Sequence, residues 1–80
     1  MPSWSTTQHT PPGAPLTARE QEILSLLASG LSTREIATEL AIAPGTVKAH
    51  LTSVYKKIGA KNRVQAARYY LDHIGPSPET

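Results

Sequence analysis

The sequence contains no cysteine, and this absence excludes several classes of protein. Without cysteine there is no disulfide framework, no thiol nucleophile and no zinc site built from thiolates. Nor does any apolar run approach the roughly 20 residues that cross a bilayer, and the N-terminus lacks the basic-then-apolar pattern of a secretion signal. We therefore expect a cytoplasmic protein that does not act at a membrane.

Motifs that carry catalysis or hold cofactors are also missing. The chain has no glycine-rich phosphate loop and no nucleophile elbow, and none of His9, His50 and His73 has a partner at metal-binding spacing. Glu35 and Glu39 lie one helical turn apart, but nothing in the sequence implies a pocket beside them. Eighty residues make one small domain without the volume for a deep substrate site. The sequence predicts no enzyme, no metal and no cofactor.

Acidic residues are absent from one half of the foldable region. The charged residues within 16–40 are mainly glutamates. Residues 44–70 contain no acidic residue and six cations: Lys48, Lys56, Lys57, Lys61, Arg63 and Arg68. A basic half beside an acidic half is the charge distribution of a protein that binds a polyanion. The alternative interpretation is an ordinary solvated basic face.

Local signals predict four helices within residues 16–74, between tails at 1–15 and 75–80 that we expect to be disordered. Thr17 with Glu20, and Ser32 with Glu35, have the spacing of capping boxes that begin the first two helices. Gly30 should end the first helix with positive φ. Asn62 should cap a fourth helix that runs from Arg63 to about His73.

The third helix is predicted over about residues 44–58, from Pro44 at its first position to Gly59 at its end. Its apolar residues recur on one face, at Val47, Leu51, Val54 and Ile58. Its other face is small, hydroxylated and basic: Gly45, Thr46, Lys48, Ala49, Thr52, Ser53, Lys56 and Lys57. Such a face suits the DNA major groove, where small residues allow close approach and lysines meet phosphates and guanine edges.

These segments together resemble the LuxR-type (GerE or NarL/FixJ type) helix-turn-helix domain of bacterial transcription regulators. The matching stretches are LTAREQEIL at 16–24, LLASGLSTREIATEL at 26–40, TVKAHL at 46–51, YKKIG at 55–59 and NRVQAA at 62–67. They cover most of the chain in the correct order and spacing. One departure is Ala43, where the family commonly has Ser or Thr, which weakens the cap of the recognition helix by about 1 kcal/mol.

The resemblance implies an all-α, four-helix domain that binds double-stranded DNA sequence-specifically as the output domain of a regulator. It implies base contacts at the positions of Lys48, Ala49 and Thr52. The predicted phosphate contacts are Ser32, Thr33, Thr46, Lys56, Lys57, Lys61 and Arg63, with Arg34 as a further candidate near the start of the second helix.

The fourth helix has more apolar surface than a small core can cover, which predicts a partner surface. In the resembled family the last helix pairs, so we expect a homodimer on DNA through Val64, Gln65, Ala67, Arg68, Tyr69 and Leu71. The helix has two apolar stripes, one of Val64, Ala67, Leu71 and Ile74 and the other of Ala66 and Tyr70. Either Val64, Ala67 and Leu71 lie in the core and Gln65, Arg68 and Tyr69 face the partner, or the two apolar stripes exchange roles. The resemblance also implies an upstream sensor or receiver domain outside this chain, with RNA polymerase as a further partner.

Two alternative functions compete with this interpretation. A protein-interaction module on a helix-turn-helix scaffold should have lost the basic residues of the recognition face and gained exposed apolar ones, whereas Lys48, Lys56 and Lys57 remain here. The polymerase-associated domain of a sigma factor shares the helix-turn-helix, but the TVKAHL match at 46–51 argues against it.

Overall fold

The described residues, 13–75 of a computed structural model, form four α-helices and contain no strand. The helices are α1 (Ala18–Ala28), α2 (Thr33–Leu40), α3 (Pro44–Ile58) and α4 (Arg63–Tyr69), and α4 continues into a π-helical turn at Tyr70–Ile74. The all-helical prediction is confirmed. Predictions for residues 1–12 and 76–80 lie outside the described residues.

Helix starts follow the local signals in the sequence. The Thr17 and Ser32 hydroxyls accept hydrogen bonds from the Glu20 and Glu35 backbone N–H groups, and each glutamate reciprocates, so both capping boxes are present. Asn62 accepts from the Gln65 N–H and caps α4. Ala43 precedes Pro44 in an extended conformation and makes no side-chain cap. The weak cap predicted for α3 is therefore confirmed.

Three helices end with a residue in the left-handed conformation. Gly30 (φ 100°) and Gly59 (φ 73°) were expected there, but Ala41 also adopts φ 59° at the end of α2. The N–H of the following residue, Ile42, then donates to the Ala37 carbonyl at 3.0 Å. This bond spans five residues and, with the bonds from the Ala41 N–H to the Ala37 and Thr38 carbonyls, engages the carbonyl groups at the end of α2. It sets the tight turn between α2 and α3.

The core lies where the three longer helices meet. Its members are the buried residues Ile23, Leu24, Leu27, Ile36, Ala37, Val47, Leu51, Val54 and Ala66. Their spacing along α1 and α3 is that of one helix face, as the sequence predicted. The core therefore fixes α3 with its opposite face turned outward.

The fourth helix packs through its Ala66 side. Ala66 is fully buried, and the Tyr70 hydroxyl donates to Ser25 Oγ of α1 at 3.2 Å. Val64 and Leu71 are 76% and 59% exposed. Ala66 and Tyr70 therefore pack inward, Val64 and Leu71 lie outside the core, and Ala67 is partly buried; the face that meets a partner stays a prediction. The predicted α-helix to His73 is wrong in its last turn, because the Gly75 N–H reaches back five residues to the Tyr70 carbonyl and widens it into a π turn.

Candidate nucleic-acid interface

The outer face of α3 is the candidate interface. Six of its residues are exposed: Gly45, Thr46, Lys48, Ala49, Thr52 and Lys56. The large exposed apolar residues of the described chain, Val64, Leu71 and Ile74, all lie in the last helical segment and none lies on α3. A face that is small, hydroxylated and basic allows close approach to a polar, anionic surface and offers little to an apolar one.

The residues predicted to read bases form a contiguous patch on this face. Lys48 and Thr52 lie one helical turn apart, with Ala49 between them on the exposed surface. The Thr52 hydroxyl donates to the Lys48 carbonyl at 3.1 Å. With its proton engaged there, Thr52 presents oxygen lone pairs and a methyl group outward, whereas Lys48 presents only donors. The patch therefore combines a donor with an acceptor.

The six basic residues of the second half fall into two groups. Lys48, Lys56, Lys61 and Arg68 are exposed, whereas Lys57 and Arg63 are partly buried and bind groups of their own chain. The Lys57 ammonium lies 2.6 Å from Glu20 Oε1. The Arg63 guanidinium donates to the carbonyls of Leu27 and Leu31. Phosphate binding by Lys57 and Arg63 stays a prediction, and the structure gives each an intramolecular contact that the sequence did not indicate.

Glu20 is the buried polar residue that joins α1 to α3. Burial raises the pKa of its carboxyl, but hydrogen bonds from Lys57, the Thr17 backbone and Ser53, together with the Lys57 charge, lower that pKa by more than burial raises it. The pKa of Glu20 therefore lies below its ordinary value, and the carboxylate is charged at neutral pH. An ionised carboxylate at this position holds the second half of α3 against α1.

The start of α2 carries the other predicted phosphate contacts. Ser32 is exposed and Thr33 partly buried, and the Ser32 backbone N–H donates to Glu35 Oε1 at 2.8 Å. The Ser32 hydroxyl accepts from the Glu35 N–H, so its own proton can still be donated to a phosphate. Arg34 is exposed nearby.

A depression beside α2 corrects one expectation. Its volume is about 410 Å³ and it is lined by Leu31, Arg34, Glu35, Thr38 and Glu39. The sequence implied no pocket at Glu35 and Glu39, whereas the structure has this open surface depression beside them. Within residues 13–75, no group of three His, Cys, Asp or Glu side chains could hold a metal ion. No helix in the same range is long and apolar enough to cross a membrane.

The predicted dimerisation residues occupy different positions on α4. Val64, Gln65, Arg68 and Leu71 are exposed, whereas Ala67 and Tyr69 are partly buried. Gln65 Oε1 accepts from the Lys61 N–H at 2.7 Å, so it stiffens the start of the helix. Tyr69 stacks on His73 with ring centroids 4.3 Å apart. Val64, Arg68 and Leu71 follow one another at helical spacing and form the outward stripe of α4.

Comparison with known proteins matches most of this sequence to one family. Residues 14–70 match the family described as bacterial regulatory proteins, luxR family. The chain is 48% identical over 52 residues to the transcriptional regulatory protein DesR of Bacillus subtilis, covering 65% of this chain and 26% of DesR. It is 49% identical over 59 residues to the CsgBAC operon transcriptional regulatory protein of Escherichia coli, covering 74% of this chain and 27% of that protein.

A third relative matches a longer part of the chain. The probable HTH-type transcriptional regulator GfsR of Streptomyces halstedii is 44% identical over 69 residues, which cover 86% of this chain and 28% of GfsR. The chain thus spans about a quarter of the length of these curated relatives.

Proposed function

We propose that α3 enters the DNA major groove with its outer face toward the bases, because this chain belongs to the luxR family of bacterial regulatory proteins. DNA binding in transcription regulation is the function of the domain. The observation that carries the groove assignment is the exposed patch of Lys48, Ala49 and Thr52, flanked by further exposed polar residues and free of large apolar ones. In helix-turn-helix proteins the second helix of the motif reads the major groove from its N-terminal half.

Base recognition is assigned to Lys48, Ala49 and Thr52. The Lys48 ammonium is a donor that suits the O6 and N7 acceptors of guanine. Thr52, whose hydroxyl proton is engaged by the Lys48 carbonyl, offers an acceptor to an exocyclic amino group and a methyl to thymine. Ala49 has too small a side chain to hold the helix away from the base edges.

Phosphate binding is assigned first to cations and hydroxyls that are exposed, and to the partly buried Thr33 at the start of α2. Thr46 and Lys56 lie at the two ends of the base-reading patch, and Lys61 lies in the turn that follows. Ser32 and Thr33 begin α2, where the backbone N–H groups of a helix start favour an anion. These contacts supply the sequence-independent, salt-dependent part of the affinity.

Dimerisation through α4 is part of the same proposal. One monomer offers too few contacts for tight and selective binding at physiological salt. Val64 and Leu71 expose apolar surface on either side of Arg68, on an element that the DNA-facing helix leaves free. Two copies that pair through this stripe would place two recognition helices on half-sites about one helical turn apart.

Larger partners follow from the proposed role. We assign the chain to the output end of a regulator with an upstream sensor or receiver domain, which agrees with its covering about a quarter of its relatives' length. RNA polymerase is the machinery on which a bound regulator acts. A protein that binds bacterial DNA works in the cytoplasm, and we assign no catalytic activity to the domain.

The test is selection of bound sites from random duplexes with the purified protein, followed by sedimentation on the selected site. We expect enrichment of a two-fold symmetric sequence, with a monomer in free solution and two copies on the duplex. The variant Leu71→Glu places a charge in the outward stripe of α4 and should leave one copy bound, whereas Asp72→Ala, at an exposed neighbour outside the stripe, should leave two. A selection that enriches no sequence would refute the proposed function.

A further inference from the structure

The carboxylate of Glu20 holds two consecutive turns of the recognition helix. Its Oε2 accepts from the Ser53 hydroxyl at 2.9 Å, and its Oε1 accepts from the Lys57 ammonium at 2.6 Å. Ser53 and Lys57 are four residues apart and so lie above one another on α3. The same Oε1 accepts from the Thr17 N–H at 2.9 Å. One side chain therefore joins the start of α1 to the second half of α3.

The ion pair of Glu20 and Lys57 is shielded from solvent, and this distinguishes Lys57 from the neighbouring Lys56. The Lys57 and Glu20 side chains are 12% and 7% exposed, whereas Lys56 is exposed. A lysine that binds phosphate must present its ammonium to the solvent-facing backbone of DNA. For Lys57 this would leave the charged Glu20 carboxylate buried without its partner, which is unfavourable.

We propose that Lys57 is a positioning residue and not a phosphate ligand: with Glu20 and Ser53 it fixes the orientation of α3 against α1, and thereby the angle at which the base-reading patch meets the groove. This inference rests on the proposed function. It also gives a positioning role to Glu20, a buried residue of α1 that lies away from the outer face of α3.

The geometry explains why orientation should matter more than charge. The core residues Val47, Leu51 and Val54 hold one side of α3 through apolar contacts, which are not directional. Hydrogen bonds from Ser53 and Lys57 to one carboxylate are directional, and they restrict rotation and sliding at the far end of the helix. A bidentate base contact is sensitive to such displacements, whereas a lysine contact with phosphate tolerates them.

The matched variants are Lys57→Met and Lys56→Met, which remove the ammonium and keep most of the apolar stem. The measurement is the association constant on the selected duplex and on a random duplex, at several salt concentrations and a temperature at which both variants are folded. For Lys56→Met we expect the slope of log K against log salt to become shallower by about 0.9, because one phosphate contact is lost. For Lys57→Met we expect an unchanged slope and a roughly tenfold fall in the ratio of selected to random affinity.

If Lys57→Met does not fold, the variant Glu20→Gln tests the same positioning role. Glu20→Gln preserves the shape of the residue and releases the Lys57 ammonium. Positioning predicts that Glu20→Gln also lowers the ratio of selected to random affinity. If Lys57→Met does fold, the double variant with Lys57→Met and Glu20→Gln should lose little more than either single variant. The conservative Lys57→Arg, which retains a cation for Glu20, should recover most of the ratio.

Two results would contradict the positioning role of Lys57. A slope for Lys57→Met that falls as far as for Lys56→Met, or a Glu20→Gln variant that binds all duplexes more tightly with an unchanged ratio, would overturn the positioning role. Both results require a parent protein that binds its selected duplex. Failure of the parent to prefer any duplex would instead refute the proposed function, so the two failures are distinguishable.

Discussion

Substitution of Arg63 tests whether this side chain stabilises the fold through α1 or binds phosphate. Its guanidinium donates to the Leu27 carbonyl at 3.3 Å and to the Leu31 carbonyl, both at the end of α1 and the turn that follows. Helix α1 has no basic residue in its own last turn. Arg63 therefore supplies from α4 the positive charge that favours a helix C-terminus. The perturbation is Arg63→Met, which keeps the apolar stem and removes the donors.

The magnitude follows from these two contacts. A hydrogen bond from a charged group contributes about 1.5–3 kcal/mol, and one of the two contacts here is long. The Leu27 carbonyl keeps its hydrogen bond from the Gly30 N–H, so the bond to the Leu31 carbonyl is the main one lost, and we expect a loss of about 2–3 kcal/mol in the free energy of unfolding. For a domain of this size that corresponds to a melting temperature lowered by about 10–15 °C.

The assay is thermal and urea unfolding of Arg63→Met beside Arg68→Met. Arg68 lies on the same helix but is exposed, and its removal should change the free energy of unfolding by no more than about 0.5 kcal/mol. Equal stability of the two variants would refute the assigned role of Arg63. If Arg63→Met instead left stability intact and made the salt slope of DNA binding shallower by about one unit, the guanidinium would be a phosphate ligand.

The remaining predictions concern caps, one turn and pH. Ala43→Ser should supply the missing cap of α3 and raise the free energy of unfolding by about 1 kcal/mol, seen as a higher melting temperature; no gain would mean that the hydroxyl does not reach the helix N–H groups. Gly30→Val should cost more than about 1 kcal/mol in the same assay, from backbone strain alone, since φ is 100° and nothing crowds an added Cβ; a melt like the parent's would contradict this. Because the pKa of Glu20 is lower in the folded protein than in the unfolded chain, its contribution to stability is complete above the unfolded pKa and is lost as pH falls through the folded pKa. Glu20→Gln should therefore flatten the acid limb of a stability-versus-pH curve, and an unchanged limb would exclude Glu20 as its source.

Features set by neighbouring residues could be predicted from the sequence. The caps at Thr17, Ser32 and Asn62 depend on partners three residues away, and Gly30 and Gly59 mark helix ends because glycine adopts positive φ without strain. Ala41 was missed for the same reason. Alanine carries no signal for a left-handed residue; the conformation occurs just before Ile42, which packs against the core.

Features set by distant residues could not be predicted. Lys57 and Arg63 look like their exposed neighbours, and their partners lie 37 and 36 residues away in sequence. The two stripes of α4 are similarly apolar, so periodicity alone could not tell which one packs inward. Contacts with α1 decide it, through the burial of Ala66 and the hydrogen bond from Tyr70 to Ser25.

The claim that α3 reads base pairs is tested most directly by the effect of Lys48→Ala on discrimination between base pairs. Affinities would be measured for the selected duplex and for every single base-pair variant of one half-site, with Lys61→Ala as the matched loss of an exposed lysine outside the base-reading patch. We expect Lys48→Ala to cost about 1–3 kcal/mol on the selected duplex and to abolish preference at one base pair, and Lys61→Ala to weaken binding to all duplexes alike. If Lys48→Ala also weakened all duplexes equally, Lys48 would bind only phosphate, and its assignment to base reading would be contradicted.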